Sequence, residues 1–89
     1  MLEINSHEDF DKLRVQLDKW RKTHPMFSHD VRRIQSSIEI HMKNYMEHLI
    51  RYKQTKSNHC ISKAQEEIDK INALINTISK VELMALLSR

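Results

Sequence analysis

Between Ile61 and Ala85 the apolar residues Ile61, Ala64, Ile68, Ile71, Ile75, Ile78, Val81 and Ala85 recur at steps of three and four. Side chains at those steps stack on one side of an α-helix, so the spacing predicts a helix with a continuous apolar stripe. Lys63, Glu66, Glu67, Asp69, Lys70, Asn72 and Asn76 fall between them and form a polar surface for water. Such a helix is stable only when its stripe is buried against another element. The chain contains no Gly and one Pro. A small sheet domain relies on Gly at its hairpin turns, so the fold class expected is all-α.

Two further helices are available to cover the stripe. The first is expected over about residues 7–22. Ser6 is its N-cap, Glu8 and Asp9 meet the positive end of the helix dipole, and Lys19, Arg21 and Lys22 occupy the last turn. Phe10, Leu13, Leu17 and Trp20 form its seam. Thr23-His24-Pro25 interrupts it, because Pro disfavours helical geometry in the residue before it. Met26 and Phe27 are expected to cover the end of the core, and Ser28 to cap the second helix. That helix reads from about 29 to 53, with Val31, Ile34, Ile38, Met42, Tyr45, Leu49 and Tyr52 on its buried side. The stripe helix then occupies about 59–87.

Whether the second and third helices form one rod or fold back is decided near residue 57. The absence of Gly and Pro there favours continuity. Against it, Lys53-Gln54-Thr55-Lys56-Ser57-Asn58 is wholly polar, and the seam changes phase by two residues, which neither usual coiled-coil insertion produces. A hairpin is the better reading, with Asn58 or Ser57 as cap and Ser62 with Gln65 as a later capping box. The expected architecture is a short N-terminal helix packed on a long antiparallel helical hairpin, a three-helix bundle spanning residues 1–89 as one domain.

An 89-residue chain buries a modest core, so a partner or second copy is a reasonable expectation. The net charge of +3 is uneven: residues 1–30 carry five basic and six acidic side chains, residues 31–60 six and two, residues 61–89 four and four. The basic middle third suits an anionic contact. Cys60 is the sole cysteine, which excludes an internal disulfide and points to a reducing compartment. Met1-Leu2-Glu3 does not open a signal peptide, no apolar run reaches the roughly 18 residues of a membrane span, and Leu87-Ser88-Arg89 is no prenylation motif. A cytoplasmic protein is expected, with no membrane and no small-molecule substrate.

No Gly-rich phosphate loop, nucleophile elbow or carboxylate pair is present, and adjacent His59-Cys60 do not make a catalytic pair without a third, orienting group. No catalytic residue is therefore assigned. His41 and His48, seven residues apart on the second helix, with His24, His29, His59 and Cys60 elsewhere, lack the close spacing of zinc ligands. No metal or cofactor is assigned either, and scattered, partly exposed histidines are expected. The corner between the first two helices is more informative. Lys19, Arg21 and Lys22 suit a helix C-terminus, but Arg32 and Arg33 sit in the first turns of a helix, where positive charge is mildly unfavourable. Arg21, Lys22, Arg32 and Arg33 are thus the candidate nucleic-acid contacts, against the plainer reading of a solvated face with Asp30 as neutraliser. A helix-turn-helix is disfavoured, since the second helix has about twice the length of a recognition helix and core residues throughout. Near the end, Val81-Glu82-Leu83-Met84-Ala85-Leu86-Leu87 is apolar around the whole helix. Either the first helix covers this surplus or a partner does; on the second reading Leu83, Met84, Leu86 and Leu87 are the candidate protein-binding residues, with Leu83 and Leu87 furthest off the seam.

Trp20-Arg21-Lys22-Thr23-His24-Pro25, Ser28-His29-Asp30-Val31-Arg32-Arg33 and Glu82-Leu83-Met84-Ala85-Leu86-Leu87-Ser88 together resemble the small companion protein encoded beside the UvsW recombination helicase in T4-type phages. The resemblance spans most of the chain and implies a helical accessory protein of phage DNA recombination and repair, without helicase motifs of its own. It carries no functional residues to positions here. Two expectations follow from the residues: a non-enzymatic adaptor docking a protein or a second copy through its apolar end, or a direct nucleic-acid binder using the basic corner.

Overall fold

A computed structural model describes residues 3–87, apart from the side chains of Glu82, Ala85 and Leu86. The described chain is mostly helical, without strands: α1 spans Phe10–Thr23, α2 Ser28–Thr55 and α3 Asn58–Leu87. α2 and α3 fold back on each other, and α1 packs on the pair, giving a rod of 52 × 18 × 17 Å. A 30-residue helix is about 45 Å long, so α3 alone accounts for most of the long dimension. No described helix is both long and apolar enough to cross a membrane.

Local chemistry explains each boundary. Ser6 is extended, and its Oγ accepts the Glu8 N–H (3.3 Å). The turn that follows, His7–Asp9, is a 3-10 helix rather than the start of α1. Asp9 turns its carboxylate back to the Asn5 N–H (2.9 Å) and so does not cap α1. At the far end Pro25 forces His24 out of helical geometry. The His24 N–H and its ring Nδ1 both reach the Trp20 carbonyl (3.0 and 3.1 Å), and the imidazole stacks on the Trp20 indole at 4.2 Å between centroids. Pro25–Phe27 forms a second 3-10 turn. Ser28 does not cap α2 as its position suggested. It already has helical φ and ψ, and its N–H bonds to the Pro25 carbonyl, so the turn runs straight into α2.

The break between α2 and α3 occupies Lys56 and Ser57. Lys56 takes left-handed geometry (φ 56°), and its N–H closes α2 on the Tyr52 carbonyl (2.7 Å). Left-handed backbone in a residue with a Cβ costs about 1–2 kcal/mol. The polar run offsets that cost with side-chain bonds. Thr55 Oγ1 donates to the Arg51 carbonyl and accepts the Ser57 N–H, and Ser57 Oγ accepts the His59 N–H. The chain needs no Gly to turn here.

The core joins Phe10, Leu13, Leu17 and Trp20 of α1 to Val31, Ile38, Met42 and Tyr45 of α2 and to Ala64, Ile68, Ile71, Ile75 and Ile78 of α3. Ile34, Leu49, Leu74 and Val81 pack at its margin. Four expectations are corrected. Ile61 is exposed, since it leaves the bend before the N-terminal segment reaches that side of the hairpin. Met26 is 90% exposed, and only Phe27 of that turn touches the core. Asn72 faces the chain rather than water: its Oδ1 accepts the Ile4 N–H (2.9 Å) and its Nδ2 donates to the Ile4 carbonyl (2.8 Å). Glu67 is buried. The Asn72 bracket fixes an extended segment ahead of α1 and seals Ile4, which is fully buried, into the core.

Candidate interaction surfaces

Antiparallel pairing brings the end of α3 beside the start of α2, so the Pro25–Phe27 turn lies at the same end of the rod. Here Leu83 is 56% exposed, Met84 63% and Leu87 77%. Leu83 and Leu87 stand one turn apart on α3, rotated about 100° and 140° from the centre of the Ala64–Ile78 seam by the 100° step of the helix. That rotation carries them away from α2, and α1 leaves them uncovered. The side chain of Leu86 lies outside the described residues. Exposed Met26 adds a further apolar side chain to this end. Sequence pattern identified this tip because its apolar residues exceed one stripe.

The basic corner is less uniform than its sequence. Arg21 donates to Asp18 Oδ1 (2.6 Å), and its side chain is only 24% exposed. Its Nε is buried without a partner. Lys22, Arg32 and Arg33 are exposed. Arg33 lines a shallow open groove with Asp30, Ile34, Ser37 and Leu74. Arg21 therefore belongs to the surface of α1, while Arg32 and Arg33 belong to α2.

Two side-chain contacts join the helices, and neither was visible in the sequence. Arg14 reaches Glu39 with two parallel bonds, Nε to Oε1 (2.7 Å) and Nη2 to Oε2 (3.0 Å), and its Nη1 takes Asp11 (3.0 Å). The hydrogen bond to Glu39 is the main reason the guanidinium pKa lies above its ordinary value. Between α2 and α3, the His41 ring donates from Nδ1 to Glu67 Oε2 (2.6 Å), while Lys70 stands 3.7 Å from Oε1. Burial pushes the Glu67 carboxyl up. The His41 hydrogen bond and the charges of Lys70, His41 and His48 outweigh it, so the pKa falls below the ordinary 4.5.

A carboxyl whose folded pKa is depressed contributes stability above its unfolded pKa and loses it as pH falls through the folded value. The loss therefore belongs below about pH 4.5. Urea denaturation followed between about pH 5 and pH 3 is expected to show a shallower stability decline in Glu67→Gln than in the parent chain. Parallel declines would mean that the pair contributes nothing to acid stability.

No group of three His, Cys, Asp or Glu among the described residues is placed to hold a metal ion. Cys60 is a partly buried free thiol, 3.9 Å from Thr55 Oγ1. An open groove lies at Asp11, Lys12, Val15 and Gln16 on the outside of α1, like the one at Arg33. No family model, curated protein or solved structure matches this chain.

Proposed function

We propose that this protein is a small non-enzymatic adaptor that docks a protein partner, or a second copy of itself, through the apolar end of α3. The observation that carries the reading is the exposure of Leu83 and Leu87 on a helix whose other large aliphatic side chains up to Ile78 mostly face the core. Burying one such leucine is worth about 1.5–3 kcal/mol, enough for two of them to anchor a modest interface. Their placement off the seam means that a partner reaches them without disturbing the bundle. The resemblance to the companion of a phage recombination helicase gives the role a setting: an accessory factor of DNA recombination or repair, acting beside the helicase in the host cytoplasm. That helicase is the first partner to test.

The double variant Leu83→Asp, Leu87→Asp is expected to weaken association at least tenfold, in sedimentation velocity for self-association and in pull-down for the helicase. Circular dichroism should show unchanged helix content, because both positions are exposed. Association that persists at the parental level in both measurements would remove the basis for the reading.

A further inference from the structure

The strongest unassigned feature is the outer side of α2. Arg32, Arg33, Ile40, Lys43, Ile50 and Arg51 are all exposed. At 100° per residue they fall within an arc of about 100°, directly opposite the buried Val31–Ile38–Met42–Tyr45 side. Four cations therefore share one ridge, and Glu47 is the carboxylate among them. None of the four has an ion pair among the described residues. On the other helices Arg14 with Asp11, Arg21 with Asp18, Lys63 with Glu66 and Lys70 with Glu67 pair with acids one turn away, although Lys12, Lys19, Lys22 and Lys80 have no ion pair among the described residues either. On α2, Glu39 is held by Arg14 across the α1 interface, which leaves Glu47 between Lys43 and Arg51 and Asp30 beside Arg33 as the nearby acids. The packing of α1 thus removes a neutralising acid and leaves the ridge cationic.

We propose that this ridge docks on the phosphate backbone of double-stranded nucleic acid. It goes beyond the docking of the apolar tip and uses none of its residues. The cationic stations lie at Arg32–Arg33, Lys43 and Arg51, separated by about 16 and 12 Å at 1.5 Å per residue. α2 presents only this outer arc from a bundle 17–18 Å across, so the ridge lies along the phosphates that border the roughly 12 Å B-form major groove and does not fill the groove. A single strand is the poorer fit, because such sites rely on exposed aromatic platforms. Phe10, Trp20 and Tyr45 are buried in the core, and Phe27 and Tyr52 are half-buried. An acidic protein helix is also a poorer fit: on this convex ridge Ile40 and Ile50 stand about 15 Å apart, too far to form one apolar seat.

The test is fluorescence anisotropy of a labelled 24-base-pair duplex DNA with the intact protein at about 50 mM salt, repeated up to about 200 mM. The expected result is saturable binding whose logarithm falls against log salt with a slope of about −3 to −4, four phosphate contacts at 0.9 each. Arg32→Gln, Arg33→Gln, Lys43→Gln, Arg51→Gln combined should weaken binding at least thirtyfold and flatten the slope. Lys63→Gln, Lys70→Gln, Lys80→Gln on α3 should change it less than threefold, as should Leu83→Asp, Leu87→Asp at the tip. Absence of binding at about 50 mM salt with protein near 100 µM would overturn the proposal. So would equal affinity in the α2 variant, or a tenfold preference for the single-stranded 24-mer. A loss in Ile40→Ala, Ile50→Ala as large as that in the arginine variant would also overturn it, and reassign the ridge to a protein partner.

Discussion

Leu17→Ala is expected to lower the unfolding free energy by about 3 kcal/mol, read from urea denaturation monitored by circular dichroism. Leu17 is fully buried, so truncation loses both its transfer free energy and the contacts around the cavity left behind. A chain of 89 residues has about 5–13 kcal/mol of total stability at the usual value per residue. The substitution thus removes a large fraction, and the melting temperature should fall by more than about 10 °C. Val15, two residues earlier on the same helix, is exposed and supplies the control: Val15→Ala should change stability by less than about 0.5 kcal/mol. A Leu17→Ala loss as small as that of Val15→Ala would show that α1 does not belong to the cooperative unit.

Asn72→Ala should cost about 2 kcal/mol, from two hydrogen bonds lost together and two backbone groups of Ile4 left partly buried without partners. The side chain is polar, sits on α3 and touches no other helix through these bonds, so the effect isolates the N-terminal bracket. Asn72→Asp separates the two bonds. It keeps an acceptor for the Ile4 N–H but sets a second oxygen against the Ile4 carbonyl, and should be destabilised to a similar degree at neutral pH. Amide hydrogen exchange at Ile4 gives a site-specific readout, with protection expected to collapse in Asn72→Ala. Retained protection would mean that the burial of Ile4 alone holds the segment.

The legible part of this fold was its periodicity. Ala64, Ile68, Ile71, Ile75 and Ile78 announce their buried side by spacing alone, and Val31 through Tyr45 do the same for α2. The polar run before Asn58 and the phase change of the seam located the bend, although its left-handed Lys56 carries no sequence signature. Polar residues with tertiary partners stayed hidden. Glu67 and Asn72 occupy positions that a single-helix pattern assigns to water, and only the approach of His41 and Ile4 makes them interior. Ile4 precedes any periodic run, so nothing marked it. Ser28 was misplaced because a helix entered from a 3-10 turn needs no side-chain cap there. The surface sites divide in the same way. The apolar surplus at Leu83 and Leu87 and the spacing of the α2 cations are properties of sequence, whereas the engagement of Glu39 by Arg14 shows only in the fold. The sequence grouped Arg21 with Arg32 and Arg33, and the fold adds that Arg21 is tied to Asp18 while Arg32 and Arg33 are exposed.

The elongated outline, three times longer than it is wide, has a geometric outcome. Attachment at the tip is axial, whereas attachment along α2 is lateral, and the two directions are nearly perpendicular. Ligands approaching on those headings do not obstruct each other, so a molecule of this outline is able to act as a strut with simultaneous occupancy at its end and its flank.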